Sequence, residues 1–335
     1  MNVGIIGFGY WGTNLVRNFA NLPGANLKTV VDKRPERARF LTTLCRTAVF
    51  STNPDDIIND PDIDAVVIAT PVFTHFDLAF KSLNNGKHVL VEKPMASNIS
   101  EALRLVELAA RKGKVLMIDH TYLYTGAVQK MKKLIDEGHI GNITYFDSTR
   151  INLGLFQPDV NVLWDLATHD ISILNFLIRE NPVSVQATGI SHTNNGIENI
   201  AYLTINYGTG FMAHFNCSWS SPVKIRMMLI GGDKKMIVFN DLEPTEKVKV
   251  YDTGYNHKTD EDKKNILVDY RAGDIYIPKL DTREALTIMA VDFRDAILDG
   301  TQPVSNDISG LNVLKILEAS QQSIKNKGVE VDIIH

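Results

Sequence analysis

The sequence predicts a chain of two parts: an N-terminal α/β part built on a doubly wound parallel sheet, and a C-terminal α+β part with a mostly antiparallel, open sheet. Three observations carry this expectation. Unbroken Val/Ile/Leu runs alternate with amphipathic stretches as far as residue 120, the pattern of strands buried on both faces and joined by crossover helices. Beyond that point, longer segments alternate apolar with polar residues, as strands do when one face is less buried. Finally, 335 residues exceed what one ordinary hydrophobic core supports. The expected division is 1–120 and 121–335.

In the first part, VGIIG (3–7) reads as a strand and GTNLVRNFANL (12–22) as a helix. NLKTVVD (26–32) and RPERARFLTTL (34–44) repeat the pair. DAVVIAT (64–70), KHVLVE (87–92) and GKVLMID (113–119) are further strands, the first two each followed by a helix. The second part opens with a helix at 127–138, a strand at 142–152 and a helix at 165–180. Strand-like segments follow at 183–191, 199–207, 210–220 and 224–232. Residues 251–281 carry the weakest pattern and read as loop-rich, before two closing helices at 284–299 and 306–326.

A formal net charge of −4 with no long basic run argues against sequence-independent nucleic-acid binding. Cys45 and Cys217 are the only cysteines, so neither a disulfide framework nor a thiolate metal site is expected. No apolar run reaches the ~20 residues that span a bilayer, and MNVGIIGFG enters a strand without a signal-peptide charge region. A cytoplasmic enzyme or binding protein without a metal is the expectation.

Gly7-Phe8-Gly9-Tyr10-Trp11-Gly12 form a GxGxxG between the first strand and first helix. In a Rossmann unit the first glycine makes the tight turn, the second admits a pyrophosphate and the third lets helix pack on strand. The helix N-terminus then holds the pyrophosphate. Glycine turns are common, and the motif alone is weak. Here Asp32 stands twenty positions after Gly12, at the end of the second strand, where a carboxylate accepts the adenosine ribose hydroxyls. This pattern points to NAD; Lys33 and Arg34, next in sequence, leave NADP open, since they offer a 2′-phosphate two cations.

Two ionisable groupings follow. Ala69, Thr70 and Pro71 end the fourth strand at the sheet's carboxyl edge, where ligands of open α/β sheets bind. His75 just beyond is either a cofactor contact or a surface residue near a helix cap. One strand later, Glu92-Lys93-Pro94 is either a polar turn or an acid–base site, with Pro94 biasing Lys93 to an extended backbone. In LWDLATHDISIL (163–174), Asp165 and His169 share a helix face at i,i+4. A carboxylate beside an imidazole orients it for general acid–base work; a cap and a core histidine is the structural alternative. Asp170 turns about 100° away.

Taken together, GFGYWG, Asp32, ATPVFTH, VEKPMA and the Trp-Asp-x-x-x-His-Asp segment at 164–170 resemble the Gfo/Idh/MocA oxidoreductases over nearly the whole chain. The resemblance implies a Rossmann domain followed by an open-sheet domain whose face often makes dimers or tetramers. It implies catalytic roles for Lys93, Asp165 and His169 in hydride transfer between a sugar secondary alcohol and NAD(P), with Glu92 and His75 beside the cofactor. HTYLYTGAV (120–128), RINLG (150–154) and DVNVLWDL (159–166) look like the branch that acts on nucleotide-linked sugars in surface-polysaccharide pathways. Tyr124, Arg150, Asn152, Asn161, Lys93 and His169 are the substrate contacts expected on that basis. An inositol or free-sugar dehydrogenase, an NAD-dependent glycosidase and a non-catalytic NAD-binding regulator are the alternatives.

Overall fold

In the computed structural model, which describes residues 1–154, 156–157, 160–193, 196–256 and 269–334, the N-terminal Val/Ile/Leu runs become one parallel sheet. Its strands are β1 (Asn2–Ile6), β2 (Asn26–Val31), β3 (Val49–Ser51), β4 (Ala65–Ile68), β5 (His88–Glu92) and β6 (Leu116–Asp119). They lie in the order β3-β2-β1-β4-β5-β6. β4 is buried throughout and β1 in all but its first residue, which is why these segments are runs rather than alternations. The connections carry α1 (Tyr10–Ala20), α2 (Ala38–Leu44), α3 (Asp55–Ile58), α4 (His75–Asn84) and α5 (Ile99–Lys112). Helix α5 shows both of its end signals. Asn98 Oδ1 accepts the Glu101 N–H at 2.9 Å, and Gly113 closes the helix with φ 61°, a polar N-cap and a left-handed C-cap. β3 and α3 are too short to show a readable period and have no counterpart in the sequence expectation. The chain leaves β1 towards β2 on one side and reaches β4 on the other, which makes the carboxyl ends of β1 and β4 the switch point of the sheet.

The chain divides into two compact units, Met1–Thr125 with Arg283–Leu314, and Gly126–Thr282 with Lys315–His335. The second unit begins with α6 (Gly126–Asp136) and β7 (Ile143–Leu153). A π-helical turn at Leu163–Ala167 leads into α7 (Thr168–Leu177). Strands β8 (Pro182–Ile190), β9 (Ile200–Tyr207), β10 (Met212–Ser218), β11 (Ser220–Gly232), β12 (Met236–Asn240), β13 (Val248–Asn256), β14 (Asp269–Tyr276) and β15 (Val331–Asp332) complete its sheet. The order is β14-β13-β12-β11-β7-β10-β9-β8-β15. Every neighbouring pair is antiparallel except β7 with β10.

Two local expectations change. Residues 251–281 are not simply loop: β13 and β14 pair antiparallel across part of that span, while 257–268 lie outside the described residues. β14 is the edge strand and is exposed from Ala272 to Tyr276, so no buried face imprints an alternation on it. The helix expected at 165–180 starts earlier, as the π turn, and stops at Leu177, with Ile178 already extended. Of the closing helices, α8 (Ala285–Leu298) belongs to the first unit. The first residues of α9 (Asp307–Lys325) belong to the first unit and the rest to the second. No described helix is long and apolar enough to cross a membrane.

Candidate active site

The glycine loop is shaped by contacts that only glycine permits. Gly7 has φ +100°, and a Cβ on it would stand 2.3 Å from the Ala69 carbonyl oxygen. A Cβ on Gly12 would stand 2.1 Å from the Gly7 carbonyl oxygen, which fixes how closely α1 approaches β1. Gly9 differs: its nearest neighbour would be Arg34, at 3.8 Å. Space is left there for a ligand rather than for packing. A groove of about 890 Å³ runs past it, lined by Gly7, Gly9, Asp32, Lys33, Arg34, Ala69, Thr70 and Pro71 among others. That volume lies in the range of small-molecule sites. Of the other loop residues, Phe8 has a fully buried ring, and its backbone N–H donates to Asp32 Oδ2 at 2.9 Å. Tyr10 is 90% exposed, and the Trp11 Nε1–H donates to Asp119 Oδ2 at 3.1 Å.

Asp32 is buried at the end of β2, yet it is held ionised. Burial alone would raise its pKa, but the Arg34 guanidinium (Nε to Oδ1 2.9 Å, Nη2 to Oδ2 3.0 Å) and the Arg34 and Phe8 amides outweigh it and set the value at about 2. A fixed carboxylate at this point accepts ribose hydroxyls and repels a 2′-phosphate. Arg34, which the sequence offered to that phosphate, is engaged by Asp32. Lys33 is exposed at the groove. The donor set therefore fits NAD.

His75 is neither the surface residue nor the cofactor contact that the sequence left open. It is fully buried, with Nδ1 2.9 Å from the Pro94 carbonyl and Nε2 2.8 Å from the Thr70 carbonyl. The ring thus ties the loop after β4 to the loop after β5, and burial lowers its pKa.

Lys93 follows β5 directly, its peptide bond to Pro94 is cis, and its N–H donates to Glu92 Oε2 at 3.2 Å. The parallel register sets Glu92 beside Asp119 of β6, an acid that the sequence reading passed over. Burial first, and then the charge of Asp119, push the Glu92 carboxyl well above the usual carboxylate range. Burial also raises Asp119, opposed by hydrogen bonds from Glu92 and Thr121. His120, next in the chain, is 1% exposed, and neither ring nitrogen has a partner among the described residues. Burial and the neighbouring Lys93 charge take its pKa down to about 3.

In the second unit, Asn161 rather than Asp165 caps the helical segment: its Oδ1 accepts the Leu163 and Trp164 N–H groups at 3.1 and 3.2 Å. Asp165 sits within the π turn, a distortion often found at functional sites. Its Oδ2 accepts the Trp219 Nε1–H at 3.1 Å. His169 lies in the first turn of α7, where its carbonyl accepts from Ser172 Oγ at 2.6 Å. Asp165 and His169 are half-buried, whereas Trp164, Ala167, Thr168 and Asp170 between and around them are buried. The two expected catalytic side chains therefore keep access to solvent.

Three of the expected substrate contacts are otherwise occupied. Arg150 is 3% exposed, and its Nε and Nη2 donate to Asp170 Oδ1 at 2.8 and 2.5 Å. Ser148 Oγ donates to the other Asp170 oxygen at 2.7 Å. Alternation along β7 turns Ser148 and Arg150 to the α7 side, where the buried Asp170 carboxylate claims them. Asn161 is spent on its cap and on Glu198 and Gln321 (3.0 and 2.6 Å from Nδ2). Tyr124 is buried; its hydroxyl donates to Asp292 at 2.7 Å and accepts the Ser305 N–H at 3.1 Å. Asn152, half-buried on β7 close to Gly154, stays available.

Comparison with known proteins agrees with this layout. Residues 1–120 match the oxidoreductase family described as GFO_IDH_MocA, NAD-binding Rossmann fold, and residues 128–238 match the GFO/IDH/MocA C-terminal domain. The chain is 26% identical to scyllo-inositol 2-dehydrogenase (NAD(+)) of Bacillus subtilis over 99% of its own length and 95% of that protein. It is 31% identical to UDP-N-acetylglucosamine 3-dehydrogenase of Acidithiobacillus ferrooxidans over 62% of this chain and 64% of that one. A solved levoglucosan dehydrogenase, in complex with NADH and L-sorbose, superposes with a TM-score of 0.85 at 23% identity over 100% of this chain and 99% of that one, a likeness of fold. With an N-terminal NAD-binding domain and a C-terminal domain that both match one family, the chain belongs to the GFO/IDH/MocA oxidoreductases.

Proposed function

We propose that this protein is an NAD-dependent dehydrogenase for a secondary alcohol of a sugar, and that a nucleotide-linked sugar is the substrate class. A UDP-N-acetylhexosamine or its uronate, oxidised at C3, is the specific form of the proposal. The observation that carries the dehydrogenase reading is the carboxyl edge of the parallel sheet. There a groove with an ionised ribose-type carboxylate lies one strand away from Lys93 and its buried acids. The 31% identity to a UDP-N-acetylglucosamine 3-dehydrogenase and the RINLG and DVNVLWDL segments favour the nucleotide-sugar form.

In this reading Gly7, Gly9 and Gly12 shape the loop that receives the pyrophosphate, and Asp32 holds the adenosine ribose. NAD bound there supplies the acceptor for the hydride that leaves the carbinol carbon. The residues of the chain manage the proton. Lys93 Nζ hydrogen-bonds the substrate oxygen, and Asp165, itself held by Trp219, stands four positions before His169 to orient its imidazole. Lys93 and His169 are the two groups able to remove the hydroxyl proton. Asn152 contributes to substrate binding; Arg150, Asn161 and Tyr124 act through the framework instead.

The test is a panel of UDP-N-acetylglucosamine, its uronate, scyllo- and myo-inositol, and free glucose, each with NAD or NADP, read by NADH absorbance. Turnover confined to the nucleotide sugars supports the proposal. Turnover of inositols alone moves the substrate to the free polyols, in line with the full-length relative of Bacillus subtilis. Glycoside cleavage without net NADH indicates transient oxidation, and cofactor binding with no turnover of any kind would return the chain to the regulator class. We also propose a cytoplasmic homodimer or homotetramer built on the exposed face of β9 and β10. There Tyr202 and Met212 are each about half exposed, and Tyr202 stacks on His214 at 6.4 Å. Light scattering of wild type and Tyr202→Glu checks it.

A further inference from the structure

The loop between β1 and α1 has to present N–H groups, and not carbonyl oxygens, to an anionic cofactor. Gly9 leaves its backbone few steric constraints, and a flipped peptide on either side of it would turn an oxygen towards the groove. The segment that follows β2 grips the loop at two consecutive peptides. Asp32 Oδ2 accepts the Phe8 N–H at 2.9 Å, and Arg37 Nε donates to the Phe8 carbonyl at 2.7 Å. The other arm of the same guanidinium, Nη2, donates to the Gly9 carbonyl at 3.3 Å and to Thr13 Oγ1 at 3.1 Å. That hydroxyl in turn donates to the Gly9 carbonyl at 2.7 Å. Arg37 ends the 3₁₀ turn Pro35–Arg37 that leads into α2. Its guanidinium carbon stands 5.0 Å from the centre of the Phe8 ring and 4.9 Å from that of Phe40, within cation–π range. Phe40 is 55% exposed, and this contact gives the ring a use. Arg34 is paired with Asp32, whereas Arg37 makes no ion pair among the described residues.

We propose that Arg37 is the positioning residue of the pyrophosphate site: by holding the Phe8 and Gly9 carbonyls it keeps the N–H groups of Gly9 and Tyr10 turned to the pyrophosphate of NAD. In a planar trans peptide the C=O and the N–H point in opposite directions. Fixing the Phe8 oxygen therefore fixes the Gly9 N–H, and fixing the Gly9 oxygen fixes the N–H of Tyr10, the first residue of α1. The first amides of a helix have no acceptor within it, and they are the donors that a phosphate at a helix N-terminus uses. The groove beside Gly9 is open, since a Cβ there would meet nothing nearer than Arg34 at 3.8 Å. Arg37 also brings a positive charge that no carboxylate of the described residues cancels, next to the place where the anion binds. A lysine is no substitute, because one ammonium lacks the planar fork that spans two successive carbonyls. Asp32 and Arg37 thus divide the cofactor between them, the first receiving the ribose and the second setting the phosphate loop, and both are anchored on the Phe8 backbone. The inference holds whichever alcohol is oxidised, because it concerns the cofactor alone.

Binding to the intact protein tests this without any sugar substrate. Calorimetric titration with NADH, ADP-ribose and adenosine compares ligands that carry a pyrophosphate with one that does not. Loss of hydrogen bonds from a charged group weakens binding by about 10–100-fold. Arg37→Met keeps most of the stem, raises the Kd of NADH and ADP-ribose by about that factor, and leaves adenosine within about twofold. Arg37→Lys keeps the charge, reaches only one of the two carbonyls, and falls between wild type and Arg37→Met. Wild-type affinity for NADH in Arg37→Met overturns the proposal. So does equal weakening of all three ligands, the mark of a merely structural role. Full wild-type affinity in Arg37→Lys assigns the effect to charge and overturns the orienting role. A second measurement stands even if Arg37→Met fails to fold. In nuclear magnetic resonance spectra of protein with isotope-labelled arginine, the Arg37 Nε–H is identified by its loss in Arg37→Lys. It exchanges slowly with water and shifts on addition of ADP-ribose but not of adenosine. An Nε–H that exchanges as fast as those of exposed arginines, or that ADP-ribose leaves unmoved, overturns the proposal.

Discussion

Replacing Arg150 by methionine is the sharpest test of its position. The side chain is 3% exposed, and its partner Asp170 is 1% exposed. The guanidinium makes bonds of 2.8 and 2.5 Å to one carboxylate oxygen while Ser148 holds the other. Arg150→Met keeps most of the apolar stem but leaves Asp170 buried without its cation. Removing one partner of a buried ion pair costs about 3–5 kcal/mol, a large share of the 5–15 kcal/mol that typically separates folded from unfolded. Urea unfolding, followed by far-ultraviolet circular dichroism and tryptophan fluorescence, reports the loss as a lower midpoint at unchanged slope. Arg150→Met/Asp170→Leu recovers much of it, because no charge is then stranded. A loss below about 1 kcal/mol, the scale of an exposed pair, together with a raised KM, would refute the structural role and return Arg150 to the substrate.

Other outcomes follow from the same geometry. Gly7→Ala, which brings a Cβ to 2.3 Å from the Ala69 oxygen at φ +100°, costs at least 1–3 kcal/mol and abolishes NAD binding measured by fluorescence titration. Asp32→Ser frees Arg34 and removes an anion, so the ratio of NADP to NAD kcat/KM rises roughly 10–100-fold. The pH dependence of stability has a defined sign at Asp32. Its folded pKa, about 2, lies below the ordinary aspartate value of 3.8, so its contribution of up to about 2 kcal/mol is present above pH 3.8 and disappears as pH falls through 2. Acid unfolding of Asp32→Asn against wild type at low salt reads that difference. Lys93→Ala lowers kcat by about 10²–10⁴, the usual worth of a positioned acid or base, with NAD affinity unchanged.

The parallel sheet and its glycine loop are legible because their signals are local: Gly7, Gly9, Gly12 and Asp32 all fall within one βαβ unit, where Gly12 closes on the Gly7 carbonyl. The internal engagement of Arg150 and Asn161 is illegible for the opposite reason. Arg150 meets Asp170, twenty positions away, and Asn161 meets Gln321 across 160 positions; no short window reveals which polar group is already taken. Asp119 and His120 were within reach of the sequence. MIDH repeats the pattern of LVEK one strand later, and two adjacent parallel strands ending on acids bring them together. The return of residues 283–314 to the first unit has no composition signal, since α8 is amphipathic like any surface-packed helix.

The one parallel pairing of the second sheet has a consequence for how the chain reaches its fold. β7 is flanked by β10 and β11, never by its sequence neighbours; Ser148 pairs with Phe215, a separation of 215 − 148 = 67 residues, and with Met228, 228 − 148 = 80. The central strand therefore has to wait for the hairpins that follow it, and closing loops of that length precedes any reward from pairing. During synthesis β7 emerges well before its partners exist. Refolding of the second unit is expected to be the slow phase, sensitive to substitutions in β10 and β11 and indifferent to those in β8 and β15.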